Sequence, residues 1–404
     1  MSLAARQPAH YEIVGGADPD PSRVRALADI SGRSDFRGFA SAAELLSEEK
    51  FADIMIIGTQ DAQHREHATA AMRMGYDLLL EKPIASTLED VREVERVARE
   101  TGRRVLVCHV LRYAPFYRKV QEIVRSGLLG EVITINATEG VGPWHQAHSF
   151  VRGHWRKTAQ ASPMILAKSC HDLDIIRWLI GVPCTALSSF GSLTHFRKEN
   201  MPDSAPARCL DGCPVEKTCL YHAKHYLGAH RDWLSYVCNL KDFSNEEGIR
   251  AWLAQSPWGR CVYQCDNDAV DHQVVAMEFQ NGATATFTMT AFEHHRHIEI
   301  MGTQGRLRGG KFVEEQSGHE IQVYDFASGI ESGIDPVYDR TGGYEGHGGG
   351  DAAMISVLHE EIRRPSPAEM TSSLDVSIAS HCLAFAADEA RRTGTVIANP
   401  EHLV

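Results

Sequence analysis

Short apolar runs at residues 11–17, 52–58, 77–80 and 103–108 alternate with stretches of helical character, which constrains the front of this chain to a parallel sheet covered by helices. Residues 22–29 read as a short helix. Ser41-Ala42-Ala43-Glu44 has the spacing by which a helix start satisfies its own amides, and Ser86-Thr87-Leu88-Glu89 repeats it ahead of a helix ending near Gly102. Between them, Asp61 opens a helix that Gly75 can stop. After about Gly127 the pattern changes to longer alternating strands, beginning at 131–139. There the Asn281-Gly282 pair predicts a two-residue hairpin turn between strands at 272–279 and 284–290. Helices at 351–363 and 376–392 close the chain. The stretch 195–265, rich in Cys, Trp and polar residues, breaks the strand rhythm and reads as an insertion, and 342–350 reads as a mobile glycine-rich loop.

Length and charge limit what such a chain can do. At 404 residues it exceeds what one core supports, so two domains are expected, at 1–126 and 127–404. A formal net charge of -12, with no Lys/Arg stripe among aromatics, argues against a nucleic-acid partner. No apolar run approaches a membrane span, and residues 1–10 lack a signal pattern, so a cytoplasmic location is expected, with the ten cysteines reduced.

Glu81-Lys82-Pro83 closes the strand at 77–80. In a parallel sheet, ligands collect beyond the carboxyl ends of the strands, so Lys82 points into the expected site. A second constellation, Lys168-Ser169-Cys170-His171-Asp172-Leu173-Asp174, leads into a helical run. If 168 and 171 share a helix face, Lys168 can hold a substrate oxygen and lower the basicity of His171, the better-placed proton carrier. The alternative is structural: His171 caps its helix and Lys168 pairs with an acid. Asp18 fits the acid that holds the ribose hydroxyls of NAD, or it merely begins a turn before Pro19; Arg23 or Arg25 nearby leaves NADP open. The fingerprint GxGxxG belongs about 20 residues ahead of such an acid. That position falls before residue 1, so the first strand and glycine loop are expected to be missing. His109, Arg112 and Tyr113 sit past a strand end, as pocket lining or as hinge packing.

Glu81-Lys82-Pro83, Asp18, Thr59 with His64, His109-Val110-Leu111-Arg112-Tyr113, and His171-Asp172-Leu173-Asp174 with Arg177-Trp178-Leu179 together resemble the Gfo/Idh/MocA (glucose-fructose oxidoreductase and inositol dehydrogenase) family. The resemblance implies an α/β plan: an N-terminal Rossmann domain, its first unit truncated, then a C-terminal α+β domain with a large open mixed or antiparallel sheet whose face makes a homodimer or homotetramer. It implies an NAD(P)-dependent oxidoreductase acting on a hydroxyl of a sugar, cyclitol or related polyol, with Lys82, His171 and Lys168 catalytic. Asp18, Thr59, His64, Glu81, Lys82 and Pro83 would face the cofactor, and His109, Arg112, Tyr113 and Asp172 the substrate; the Lys82-Pro83 bond would be cis. The sequence departs from the family at Ala167, where many members carry an aspartate that works with the histidine. Two other readings stand beside this one: an NAD-assisted glycosidase, and a non-catalytic sugar-binding or partner subunit.

Cys209, Cys213 and Cys219 lie close together in the insertion, with Cys261 and Cys265 downstream. Thiolates at such spacing suit a structural zinc ion, with Cys261 as fourth ligand; free or pocket-lining cysteines are the alternative, and an iron–sulfur cluster the third.

Overall fold

A computed structural model describes residues 2–238, 240, 243–338 and 346–403. The parallel strands at the front fall into two blocks that share no hydrogen bonds. β1 (Gly15–Ala17) pairs with β2 (Arg37–Phe39), and β3 (Ile54–Ile57), β4 (Asp77–Leu80) and β5 (Val105–Val107) follow in spatial order. Helices cross between them. Pro21–Ser31 starts on Asp20, whose carboxylate accepts the Ser22 amide, and ends on Gly32 at φ 66°; Leu88–Thr101 starts on Thr87 and ends on Gly102 at φ 64°. The expected start at Ser86 therefore moves one residue on, because it is the Thr87 hydroxyl that accepts the Asp90 amide.

The second half builds one nine-stranded mixed sheet in the order β13-β12-β11-β10-β6-β9-β8-β7-β14. Its strands are β6 (Val132–Val141), β7 (Cys184–Ser192), β8 (His272–Phe279), β9 (Thr284–Thr290), β10 (His294–Gly302), β11 (Gly305–Gly310), β12 (Ile321–Asp325), β13 (Glu331–Ile334) and β14 (Ile397–Ala398). Only β6 and β9 run parallel. The hairpin β8–β9 falls at 272–290 as the sequence predicts, but its turn differs. Gly282 alone takes a positive φ, 80°, and the Phe279 N–H donates to the Ala283 carbonyl, so the bond closes a loop of three residues, 280–282, rather than two. Between β7 and β8 the chain leaves the sheet for short 3₁₀ turns and the helix Glu246–Gln255, which is the expected insertion.

The two halves share their interiors. Helix Leu374–Thr393 contributes Leu374, Ile378 and Cys382 to the core under β3–β5, and Leu383, Ala384, Ala387 and Ala390 to the core under the large sheet. Helix Gly350–Glu361 returns to the other face of the parallel block, where Met354, Ile355 and Leu358 meet Leu79, Leu106 and Ala4. Of the glycine-rich loop expected at 342–350, residues 342–345 lie outside the described residues, and 346–350 form a tight turn. Among the described residues no helix is long and apolar enough to cross a membrane.

Candidate active site at the junction of the two sheets

The carboxyl ends of β4 and β5 meet helix Cys170–Ile180, and the groups singled out in the sequence gather there. The Lys82-Pro83 bond is cis, and the Lys82 ammonium donates to the Ala167 carbonyl at 2.8 Å. Around this loop four contacts hold the backbone. The ring nitrogens of buried His64 meet the carbonyls of Pro83 (2.6 Å) and Thr59 (3.0 Å), Ile84 N–H donates to Nε2 of buried His381 (2.9 Å), and the Glu81 amide bonds to Ile57 O. Such a shell fixes the lysine stem before any ligand arrives. His64, expected against the cofactor, braces the loop through both ring nitrogens.

His171 is 2% exposed, and neither ring nitrogen has a partner among the described residues. A buried imidazole without partners is costly, so a group must complete it. Burial, then the nearby Lys82 ammonium, His109, His347 and Arg296, push its basicity well below the ordinary histidine range. His171 is thus a neutral ring. It belongs to a row of imidazoles, with ring centres 5.4 Å apart from His381 to His109, 5.7 Å from His109 to His171, and 5.4 Å from His171 to His347. His109 is pushed down to about 4, chiefly by burial, and His381 to about 3 for the same reason.

Lys168 does not share a helix with His171. It caps the short turn Met164–Ala167, and the next helix begins only at Cys170, so the like charge felt by His171 comes from Lys82. Lys168 pairs with Glu139 at 3.2 Å, Arg296 bridges Glu139 and Asp172 at 2.7 Å each, and all four are largely buried. Asp172, expected at the substrate, is engaged in this network. The polar groups of Arg112 and Tyr113 are likewise engaged. Arg112 grips Asp174 with two bonds of 2.6 and 2.8 Å and donates to Thr371 O, while the Tyr113 hydroxyl meets Ser372. A cleft of about 520 Å³ lined by Arg112, Trp178 and Glu361 includes none of Lys82, His109 or His171.

At the cofactor end, Asp18 follows β1, accepts the Asp20 amide at 2.8 Å and faces Arg23 at 3.8 Å, so it begins a turn as well as standing at a strand end. Thr59 is exposed beyond β3 and its hydroxyl meets His67 at 3.0 Å. Gly58, Glu81 and Lys82 leave open space at the ends of β3 and β4, where a Cβ on Gly58 would meet only Glu81 Cγ, at 3.8 Å. These residues fit the reactive-ring end of a dinucleotide. Among the described residues no glycine-rich strand-to-helix turn lies at β1 or β3, and Asp20 occupies the helix start after β1.

The zinc expectation is not met by the side-chain arrangement. Among the described residues no three His, Cys, Asp or Glu side chains converge as for a metal ion. Cys209 Sγ lies 3.5 Å from a guanidinium nitrogen of Arg152, and Cys265 donates to the Cys261 carbonyl; Cys209 adds to burial in raising the Cys219 and Cys261 thiols, yet Cys209, Cys213, Cys219 and Cys261 do not converge as metal ligands. Arg152 itself is 1% exposed and bonds the carbonyls of Arg260 and Tyr221. It ties the insertion to the segment that follows β6.

Sequence reasoning passed over Glu139, His145, Arg296, His347 and His381. His145, pushed down to about 3 by burial and then by Lys168, brings a further imidazole beside the Lys168–Glu139 pair. The signal for His347 was a single histidine among glycines with Asp351 four residues on; the others carry no local pattern.

The profile of an oxidoreductase family with an NAD-binding Rossmann fold matches residues 2–109, and that of the GFO/IDH/MocA C-terminal domain matches 117–308. YteT of Bacillus subtilis strain 168, which carries an oxidoreductase name, is 26% identical over 382 residues, covering 88% of this chain and 84% of its own. A 1,5-anhydro-D-fructose reductase of Ensifer adhaerens is 31% identical over 172 residues, 42% of this chain and 49% of that one. In fold, the chain is similar to the WlbA dehydrogenase of Bordetella pertussis solved with NADH and UDP-GlcNAcA, with a TM-score of 0.65 and 16% identity over 98% of this chain and 93% of the other.

Proposed function

This chain belongs to the Gfo/Idh/MocA family of NAD-binding oxidoreductases, and from that premise we propose that it moves a hydride between NAD(H) and a secondary hydroxyl of a sugar or cyclitol. One observation carries the reading: a neutral, partnerless imidazole, His171, lies under the field of the Lys82 ammonium at the ends of the parallel strands. Bound there, the nicotinamide supplies a hydride acceptor or donor at carbon. Lys82 orients the substrate oxygen and stabilises its developing negative charge; His171 takes the hydroxyl proton. Glu81 and Thr59 would border the nicotinamide and its ribose, and Asp18 the adenosine ribose, where a carboxylate favours NAD over NADP. The Glu139–Lys168–Arg296–Asp172 network fixes the floor beneath them. The sugar class is supported by the sugar in the reductase's name and by the UDP-GlcNAcA bound with NADH in the WlbA dehydrogenase.

Lys82→Ala tests the assignment. With 1,5-anhydro-D-fructose and NADH, or myo-inositol and NAD⁺, the absorbance change at the nicotinamide should vanish while circular dichroism stays unchanged. Wild-type rates in the variant would remove the lysine from the chemistry. The open face of the large sheet, where Phe190 (66% exposed) and Val274 (43%) pair across β7 and β8, fits a second copy of the chain. Sedimentation velocity should find a dimer or larger that Phe190→Glu weakens, and a wild-type monomer would refute this.

A further inference from the structure

The substrate proton needs a way out of a site in which His171 is nearly sealed. The turn 346–350 faces it. Gly346, His347, Gly348 and Gly349 all take positive φ, at 67°, 41°, 64° and 86°, and among the described residues His347 is one of four non-glycine residues to do so. A side chain held in that region is a strained choice that the surroundings must enforce. Two close approaches fix the ends of this turn. A Cβ on Gly346 would lie 2.3 Å from Asp351 Oδ2, and one on Gly350 would lie 2.3 Å from Val110 O. The turn delivers the His347 ring to 5.4 Å from that of His171, centre to centre, and His347 Nδ1 donates to Asp351 at 2.8 Å. Since the carboxylate takes Nδ1–H, Nε2 is left with a free lone pair. His171 is buried, whereas the side chain of His347 is 36% exposed.

We propose that His347, oriented by Asp351, carries protons between His171 and solvent. The inference rests on the reading of Lys82 and His171 given above. In the oxidative direction the hydroxyl proton passes to a ring nitrogen of neutral His171 while hydride leaves the same carbon for NAD⁺. The resulting imidazolium gives one proton, through a water, to Nε2 of His347, which releases one proton to bulk water. Two electrons leave with the hydride and one proton reaches solvent, so the reaction balances. Among the described residues several charged and titratable groups surround this pair, and buried Cys108 lies near Asp351, Glu81 and Lys82. Asp351 faces His347 from helix Gly350–Glu361. Lys82, His109 and Arg296 act on His171. Arg112, from the neighbouring turn Val110–Arg112, is committed to Asp174, and helix Pro115–Arg125 presents Pro115 to Gly349. Sequence separation hides this pairing, since 176 positions divide His171 from His347.

His347→Gly keeps the turn free of strain, because glycine adopts positive φ without cost. With the two probe substrates above, kcat should fall about 10- to 100-fold while KM stays within about twofold, and added imidazole should restore much of it. Asp351→Asn should shift the pH–rate profile in the same assay. For a readout free of substrate, exchange of the His171 ring proton with solvent, followed by ¹⁵N-histidine NMR, should slow about tenfold in His347→Asn, a residue suited to the left-handed turn. Unchanged turnover from pH 6 to 9 in His347→Gly, a loss that imidazole does not restore, or equal exchange rates would overturn the relay. The premise fails separately: if Lys82→Ala keeps turning over, the hydride-transfer reading falls whatever His347 does.

Discussion

Asp174 shows how much one side chain at this junction holds in place. It is 1% exposed, and although burial alone would raise its pKa, the Arg112 guanidinium and then His109 hold it below the ordinary carboxylate range. A carboxylate with a depressed folded pKa contributes stability that is fully present above its unfolded value, about 3.9, and is lost as pH falls through the lower folded value. Asp174→Asn should therefore cost about 3–5 kcal/mol at pH 7, because it strands a buried guanidinium, and the acid-dependent part of that cost should disappear. Urea midpoints of the two proteins measured from pH 7 down to 3 check both parts; parallel curves would mean the pair carries no linked proton. Arg152 poses the opposite case. It is buried against carbonyls and a sulfur, and among the described residues no carboxylate is paired with it, so its hydrogen bonds rather than an ion pair hold the insertion in place.

At the scale of elements, the helix Gly350–Glu361 is pressed onto the turn Val110–Arg112 through a glycine contact that admits no side chain. Gly350→Ala places a carbon against the Val110 carbonyl and should destabilise the chain by about 1–3 kcal/mol, displacing the His347 turn with it. A thermal melt read beside turnover would detect the change, and an unaltered melt would show that the contact can relax. Elements of this kind separate what was legible in the sequence from what was not. Capping residues and short apolar runs marked the strands β3 to β5 and their helices, because their causes lie within a few residues of each other. Glu81-Lys82-Pro83 and His171 were visible for the same reason. Lys168 was misread because periodicity assumed one continuous helix, whereas the chain breaks between Ala167 and Cys170. His381 and Arg296 were invisible because their contacts join residues 297 and 124 positions apart, and no local pattern encodes such a pairing.

Across the whole molecule, the two interiors are joined by more than a linker. Val107 and Ser372 exchange hydrogen bonds, Arg112 reaches Asp174 and Thr371, and helix Leu374–Thr393 passes from one core into the other. Unfolding should accordingly be a single transition, with fluorescence and far-ultraviolet signals coincident. The buried neutral histidines set its pH dependence. His109, His145 and His381 sit at about 4, 3 and 3, chiefly through burial, against about 6.5 in the unfolded chain. Between those values the unfolded chain binds more protons, so stability should fall as pH drops below about 6.5, by at most about 1.4 kcal/mol per pH unit for each ring. Two separate transitions, or a flat profile from pH 7 to 5, would contradict this picture.

The passage of that last long helix through both interiors also bears on how such enzymes can be recombined. A chimera that borrows the front half from a relative inherits a surface shaped for someone else's tail, so the exchange should succeed only when the closing segments travel with it. The chain's beginning and its ending are, in that sense, a single heritable part.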